Sequence, residues 1–224
     1  MLNRLISFNS PKAKASEAFK TLRTNLQFSS VDHALKSILV TSSMPAEGKS
    51  TIMANLGITY AQTDIKVLIL DCDLRKPSIH KHFGIPNTAG LTNLLIDASS
   101  LEGYIFPTKI PNLYVIPSGT IPPNPSELLG TQRMKLLLAK LCDLFDIILI
   151  DAPPVIAVTD AQILSTMADG VIIITSYGEV EKHALALTKK LLDRVGARML
   201  GLVLNKVPEH SSPHYNKKGY YAQV

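Results

Sequence analysis

Apolar residues recur along this chain in two rhythms, and the alternation between them predicts the fold. Short unbroken apolar runs at Ser37–Val40, Lys66–Leu70, Leu113–Ile116, Asp146–Asp151, Gly170–Thr175 and Met199–Leu204 have the length and branching of strands buried on both faces. Between them the apolar positions fall three and four apart. Ala15–Phe28 (Phe19, Leu22, Leu26), Ile52–Gln62 (Ile52, Leu56, Ile58, Tyr60), Gln132–Phe145, Asp160–Met167 and Glu181–Val195 therefore read as helices. Ser10 or Ser16 is available to cap the first of them, and a shorter helix starts at Pro77 and runs to Phe83. Asn87–Thr108 reads as short helices and loops. In Ile121–Leu129 the prolines 122, 123 and 125 forbid regular structure and make a stiff lead into a helix capped by Ser126. Strand and helix alternate from residue 37 to 205 without a hairpin signal. That pattern predicts an α/β fold, a doubly wound, mostly parallel sheet with helices on both faces, and leaves the strand order open.

Composition changes this picture little. With 224 residues, 46% of them hydrophobic, the chain can bury one substantial core, so residues 1–207 read as a single domain. After Val207 the chain becomes rich in proline, serine and histidine, and 208–224 reads as a flexible tail. Three of the seven tyrosines, Tyr215, Tyr220 and Tyr221, lie in it, placed as a substrate on a tether would be. The net charge of +5 would suit a nucleic-acid binder, but the basic residues are scattered and few aromatics lie among them, so the expectation is no nucleic-acid partner. Cys72 and Cys142 give neither a paired framework nor a metal spacing, which suits a reducing compartment. His80 and His82, two apart in a helix, face different ways and make a poor metal site. No apolar run is long enough for a signal peptide or a membrane span, so membrane association is expected only through a partner.

The chemistry is concentrated at three strand ends. Thr41–Thr51, TSSMPAEGKST, follows the first strand and opens a helix, the context that a phosphate-binding loop requires. Gly48, Lys49 and Ser50 match the end of that pattern: backbone N–H groups wrap an oxyanion, the lysine reaches the terminal phosphates, and the hydroxyl meets magnesium. The first glycine of the pattern is replaced by Ser43, and Pro45, Ala46, Glu47 and Thr51 complete the nucleotide-binding stretch. Asp71 and Asp73 close the second strand, and Asp151 ends the strand of IILIDAPP. Buried carboxylates need a cation or several N–H donors, and beside a phosphate loop magnesium is the natural cation. Ser50, Asp71 and Asp151 are the expected metal group, the last acting through water. Asn205, at the end of the last strand, can meet the adenine or cap a turn. On spacing alone, Glu17, Lys20 and Arg23 form an ordinary solvated helix face.

With TSSMPAEGKST, VLILDCDLRKP, IILIDAPP and the terminal tyrosines in one chain, and SGTIPPNPSELL between them, the sequence resembles the bacterial tyrosine kinases of capsular and extracellular polysaccharide systems over nearly its whole length. The resemblance implies a kinase with the fold of phosphate-loop NTPases, using ATP and Mg²⁺ to phosphorylate its own tail at Tyr215, Tyr220 and Tyr221, in trans. Lys49, Asp71 and Asp73 inherit the catalytic roles. The family's N-terminal ExxRxxR pattern makes the helix near 15–28 an oligomerisation element, with Glu17, Lys20 and Arg23 at the interface of a homo-oligomer; Lys20 lacks the planar fork of arginine. The resemblance is to the divided form of the system, which implies a cytoplasmic chain recruited to the inner face of the membrane by a transmembrane adaptor, and a cognate tyrosine phosphatase. The rival reading is a partitioning or positioning ATPase of the deviant phosphate-loop class. Such proteins carry lysine where this chain has Met44. An ATP-dependent ligase on the same fold would leave the tyrosines without a purpose.

Overall fold

The computed structural model describes residues 5–29, 35–97 and 100–208. The expectations for Tyr215, Tyr220 and Tyr221 lie outside the described residues. Seven strands form one sheet: β1 (Ser37–Ser42), β2 (Val67–Asp71), β3 (Phe106–Pro107), β4 (Leu113–Ile116), β5 (Ile147–Asp151), β6 (Gly170–Ser176) and β7 (Met199–Asn205). Their order is β3-β4-β2-β5-β1-β6-β7, and all neighbours pair in parallel except β3 with β4. The doubly wound expectation holds. The antiparallel edge β3 was not foreseen, because two residues, one of them proline, carry no period.

Side-chain alternation divides the core between the two faces of the sheet. Ile38, Val40, Ile69, Leu149 and Ile172 pack under α1 (Ile6–Asn9), α2 (Lys14–Phe28) and α3 (Lys49–Ala61). Leu39, Leu68, Leu70, Ile148, Ile150 and Ile173 pack with α5 (Leu91–Asp97), α7 (Gln132–Leu144), α8 (Asp160–Ser165) and α9 (Lys182–Arg194). Helix α3 is buried on nearly every side, since α1 and α2 cover the face that the sheet does not.

Local details depart from expectation for identifiable reasons. Helix α2 has Ala13 at its N-cap. Ser16 instead donates its hydroxyl to the carbonyls of Ser10 (2.7 Å) and Ile6 (3.1 Å), binding α2 back onto α1. The helix α4 (Ile79–Phe83) begins two residues after Pro77, because the N–H groups of Ser78 and Ile79 are claimed by the Asp71 carboxylate. Helix α6 (Pro125–Leu129) has Asn124 at its N-cap and Pro125 in its first turn, so Ser126 lies inside the helix and is not its cap.

One close approach carries a stability prediction. Leu91 and Thr92 at the start of α5 donate to the carbonyls of Pro117 (2.8 Å) and Ser118 (2.9 Å), just past β4. A Cβ on Gly90 would stand 2.1 Å from the Pro117 oxygen and 2.4 Å from the Gly119 nitrogen, both main-chain atoms. Gly90→Ala is expected to cost about 3 kcal/mol and to lower Tm by about 6–12 °C in thermal denaturation. A shift under about 2 °C would mean that the segment moves aside freely.

Candidate active site

The carboxyl ends of β1, β2, β5, β6 and β7 meet at one edge of the sheet. From β1 the chain turns through residues 43–48 into α3, using two left-handed residues, Ala46 (φ 67°) and Gly48 (φ 86°). Gly48 is required twice over, since a Cβ there would also lie 2.3 Å from Asn205 Nδ2. Glu47 braces the loop. Its buried carboxylate accepts from the N–H of Met44 (2.7 Å) and of Ser176 at the end of β6 (3.3 Å). Two loop carbonyls are tied to the end of β7: Glu47 O accepts from Asn205 Nδ2 at 2.8 Å, and Ala46 O from Lys206 Nζ at 3.1 Å. Helix α3 begins at Lys49, so Lys49, Ser50 and Thr51 occupy its first turn, where main-chain N–H groups have no helical partner and favour an anion.

Beside this loop one ammonium faces three carboxylates. Asp71 and Asp151 are paired in register at the ends of β2 and β5. Lys49 Nζ donates to Asp151 Oδ1 and lies 3.8 Å from Asp73 Oδ2, while Ser50 Oγ donates to Asp151 Oδ2 at 2.9 Å. Asp71, fully buried, accepts from the N–H groups of Asp73 (3.3 Å), Ser78 (3.3 Å) and Ile79 (3.1 Å). Burial, and then the charge of Asp151, push Asp71 up to about 8 against the pull of Lys49. Burial likewise raises Asp151, with Lys49 opposing. For Lys49, burial acts downward, but Asp151 and Asp73 outweigh it and hold the ammonium above its ordinary value. With all four groups ionised the cluster would carry two uncompensated negative charges, so it calls for a proton or a divalent cation. The oxygens present, Ser50 Oγ and the carboxylates of Asp151 and Asp71, fit Mg²⁺, which is bound through one or two carboxylates and keeps water and phosphate among its other ligands. Among the described residues no group of three or more His, Cys, Asp or Glu side chains is arranged to hold a metal by itself.

A cavity of about 460 Å³ opens over the loop, lined by Pro45 to Thr51, by Asp73, Arg75, Lys76, Ser78 and His82 after β2, and by Pro153, Pro154, Ala157 and Val158 after β5. An AAA domain matches residues 35–199, a span that includes the loop and all three aspartates. The tyrosine-protein kinase YwqD of Bacillus subtilis (strain 168) is 43% identical over 99% of this chain and 92% of its own length. This chain belongs to the bacterial tyrosine kinases. The crystal structure of the chimerical protein CapA2B2 superposes on the kinase with a TM-score of 0.89 at 41% identity, covering 92% of the kinase and 91% of that chain. The cell-division ATPase MinD of Pyrococcus furiosus shares the fold at greater distance, with a TM-score of 0.65 at 26% identity over 79% of the kinase and 77% of that chain. The kinase therefore has the nucleotide-binding fold of the phosphate-loop NTPases, and the ATPase switch is the more distant likeness.

The structure sorts the residues named from sequence. Pro45, Ala46, Glu47, Gly48, Lys49, Ser50, Thr51 and Asp73 border the cavity. Ser43 does not: its side chain is buried beneath the loop, where its hydroxyl accepts from Thr188 Oγ1 at 2.9 Å. Asp71 and Asp151 lie behind the cavity wall, fully buried, and only Asp73 of the VLILDCDLRKP pair reaches its surface. Asn205 stands against the loop with its amide bonded to Glu47. On α2, Glu17 and Lys20 pair with each other at 2.7 Å and stay half exposed, whereas Arg23 turns inward to the Thr59 carbonyl at 2.6 Å. Sequence reading gave no role to Arg75 or Lys76, and weighed His82 only as a metal ligand beside His80. The only signal for them was their position just downstream of the paired aspartates.

Proposed function

We propose that the kinase transfers the γ-phosphoryl group of ATP to Tyr215, Tyr220 and Tyr221 of a neighbouring copy, and so regulates capsular or extracellular polysaccharide synthesis and export. The observation that carries this reading is the root of the tail. Strand β7 runs parallel to β6 and delivers Asn205 and Lys206 onto the carbonyls of the phosphate loop. From Asn205, ten residues to Tyr215 span at most about 35 Å, enough for the chain's own site or an adjacent one. An oligomer built through α2, with Glu17 and Lys20 at its surface, favours the adjacent one.

In this mechanism the loop N–H groups and Lys49 hold the phosphates. Ser50, Asp151 through water and Asp71 in support would hold Mg²⁺, which would supply positive charge to the phosphates when bound. The phenol oxygen of the acceptor tyrosine forms the new bond to phosphorus as the bond to the ADP oxygen breaks. Its proton passes to Asp73, the one aspartate of the pair that borders the cavity. Asp71, with three N–H donors of its own, shapes the turn that presents Asp73. A transmembrane adaptor brings the kinase to the inner face of the membrane, and a tyrosine phosphatase resets the tail. Among the described residues no helix is long and apolar enough to cross a membrane.

Incubation with Mg²⁺ and ATP, with and without the adaptor's cytoplasmic segment, followed by mass spectrometry, tests the assignment. Phosphate is expected on at least one of the three tail tyrosines and absent when all three are changed to Phe. Trans transfer predicts that a chain bearing Lys49→Met is labelled when mixed with an active chain lacking those tyrosines. ATP hydrolysis with an unmodified tail under both conditions would instead favour the switch ATPase.

A further inference from the structure

Two stretches that the phosphate chemistry leaves without a purpose meet at Asp160, the first residue of α8. Its carboxylate is fully buried and receives three hydrogen bonds: from Arg75 Nε to Oδ2 at 2.9 Å, from Arg75 Nη2 to Oδ1 at 3.1 Å, and from Ser126 Oγ to Oδ1 at 2.6 Å. Arg75 Nη2 also donates to Ser126 Oγ at 3.0 Å. Arg75 comes from the connection after β2, two residues beyond Asp73, and Ser126 from α6 at the close of the proline-rich run.

The pair is lopsided. The Asp160 side chain is 0% exposed and that of Arg75 is 38% exposed. Taking a carboxylate wholly out of water costs several kcal/mol, which is a poor bargain for a surface ion pair and reasonable for one that fixes a functional group. A bidentate contact holds the guanidinium plane as well as its position. Two of its three nitrogens are engaged. Nη1 has no acceptor among the described residues, and the side chain lines the same cavity as Lys49, Ser50 and Asp73.

We propose that Arg75 binds the phosphoryl group during transfer, and that Asp160 and Ser126 are positioning residues that aim it. The inference rests on reading the cavity as the ATP site. During transfer, negative charge spreads over the equatorial oxygens of the migrating group, and a cation held in place beforehand stabilises that state without reorganising. Arg75 moves no proton and forms no covalent bond; it donates hydrogen bonds. The prolines before Ser126 thereby acquire a role, since they stiffen the segment that holds the serine against Asp160.

Competition with a fluorescent nucleotide, comparing Mg·ADP with Mg·ADP·aluminium fluoride, tests this without requiring turnover. For Arg75→Ala, affinity for ADP is expected to stay within about threefold of wild type, while the fluoride complex, which mimics the phosphoryl group in flight, weakens about 100-fold. Asp160→Asn is nearly isosteric and keeps Arg75 but releases it, so a loss of about tenfold is expected for the fluoride complex. Added guanidinium ion should restore part of the lost affinity in Arg75→Ala and none in Asp160→Asn. If Arg75→Ala fails to fold, Arg75→Lys carries the test: it keeps the charge, cannot span both Asp160 oxygens, and should match Asp160→Asn. Equal weakening of both ligands, or a fluoride complex left intact in the variants, overturns the inference. A wild-type chain that binds neither ligand overturns the reading of the cavity as well, whereas one that binds both alike overturns the phosphoryl contact alone, so the two failures are distinguishable.

Discussion

Lys49→Met is expected to reduce tyrosine phosphorylation by about 1000-fold or more and to destabilise the chain as well. The catalytic loss follows from the ammonium's place in the first turn of α3, at the cavity, where it would meet the phosphate charge of a bound nucleotide with water largely excluded. The stability loss follows from its partners. Among the described residues Lys49 is the one cation bonded to Asp151, and it also lies close to Asp73, so a methionine leaves the Asp151 charge in a buried site without its ion-pair partner. Removing one partner of a buried ion pair costs about 3–5 kcal/mol, or about 6–20 °C in Tm for a chain of this size. Melts in EDTA without nucleotide, beside a phosphotransfer assay, measure both. Loss of activity with an unchanged Tm at pH 8 would mean that the carboxylates take up protons at little cost.

Asp71→Asn is expected to separate stability from activity, with a sign that depends on pH. In the folded chain burial lifts the Asp71 carboxyl from 3.8 to about 8. Between those values the folded state holds a proton that the unfolded state has released. Stability from this group is therefore complete below about pH 4 and is lost as pH rises through about 8. Without Mg²⁺ and nucleotide, wild-type Tm should fall by several degrees between pH 5 and 9, and Asp71→Asn should flatten that fall and be the more stable protein at pH 9. Asn keeps a carbonyl oxygen for the N–H groups of Ser78 and Ile79. It cannot supply negative charge to a cation, so phosphotransfer is expected to fall about 100-fold or more. A wild-type Tm that rises over the same range would refute the assignment.

The fold was legible because its strands are short, branched and apolar, and its helices keep a clean three-to-four spacing. The loop and the strand-end aspartates could be found for a related reason: each follows directly on an unmistakable strand. What escaped was set by contacts between distant parts of the chain. Strand order is one case, since β1 lies between β5 and β6 by tertiary packing alone. Arg75 and Asp160 are another, being 85 residues apart in sequence and joined only once α6 and α8 pack together. Ser126 was misread as a cap because proximity to a helix start is all that local sequence offers, whereas its hydroxyl is engaged by Asp160. Arg23 illustrates the same limit from the other side. Its spacing suits an outward face, but α2 lies against α3, and the carbonyl of Thr59 turns it inward.

The bonds from Asn205 and Lys206 to the loop carbonyls place the root of the tail and the floor of the nucleotide site in one mechanical unit. Lys206 is held there by a second tie, its ion pair with Glu179 at 2.6 Å. Thermodynamic reciprocity then constrains the molecule in a simple way. Whatever factor a partner gains or loses in affinity for the tail root when nucleotide binds, nucleotide gains or loses when that partner binds. A protein that breaks or tightens these bonds when it grips the chain at residue 206 would act on the loop 160 residues earlier in the sequence without contact with ATP.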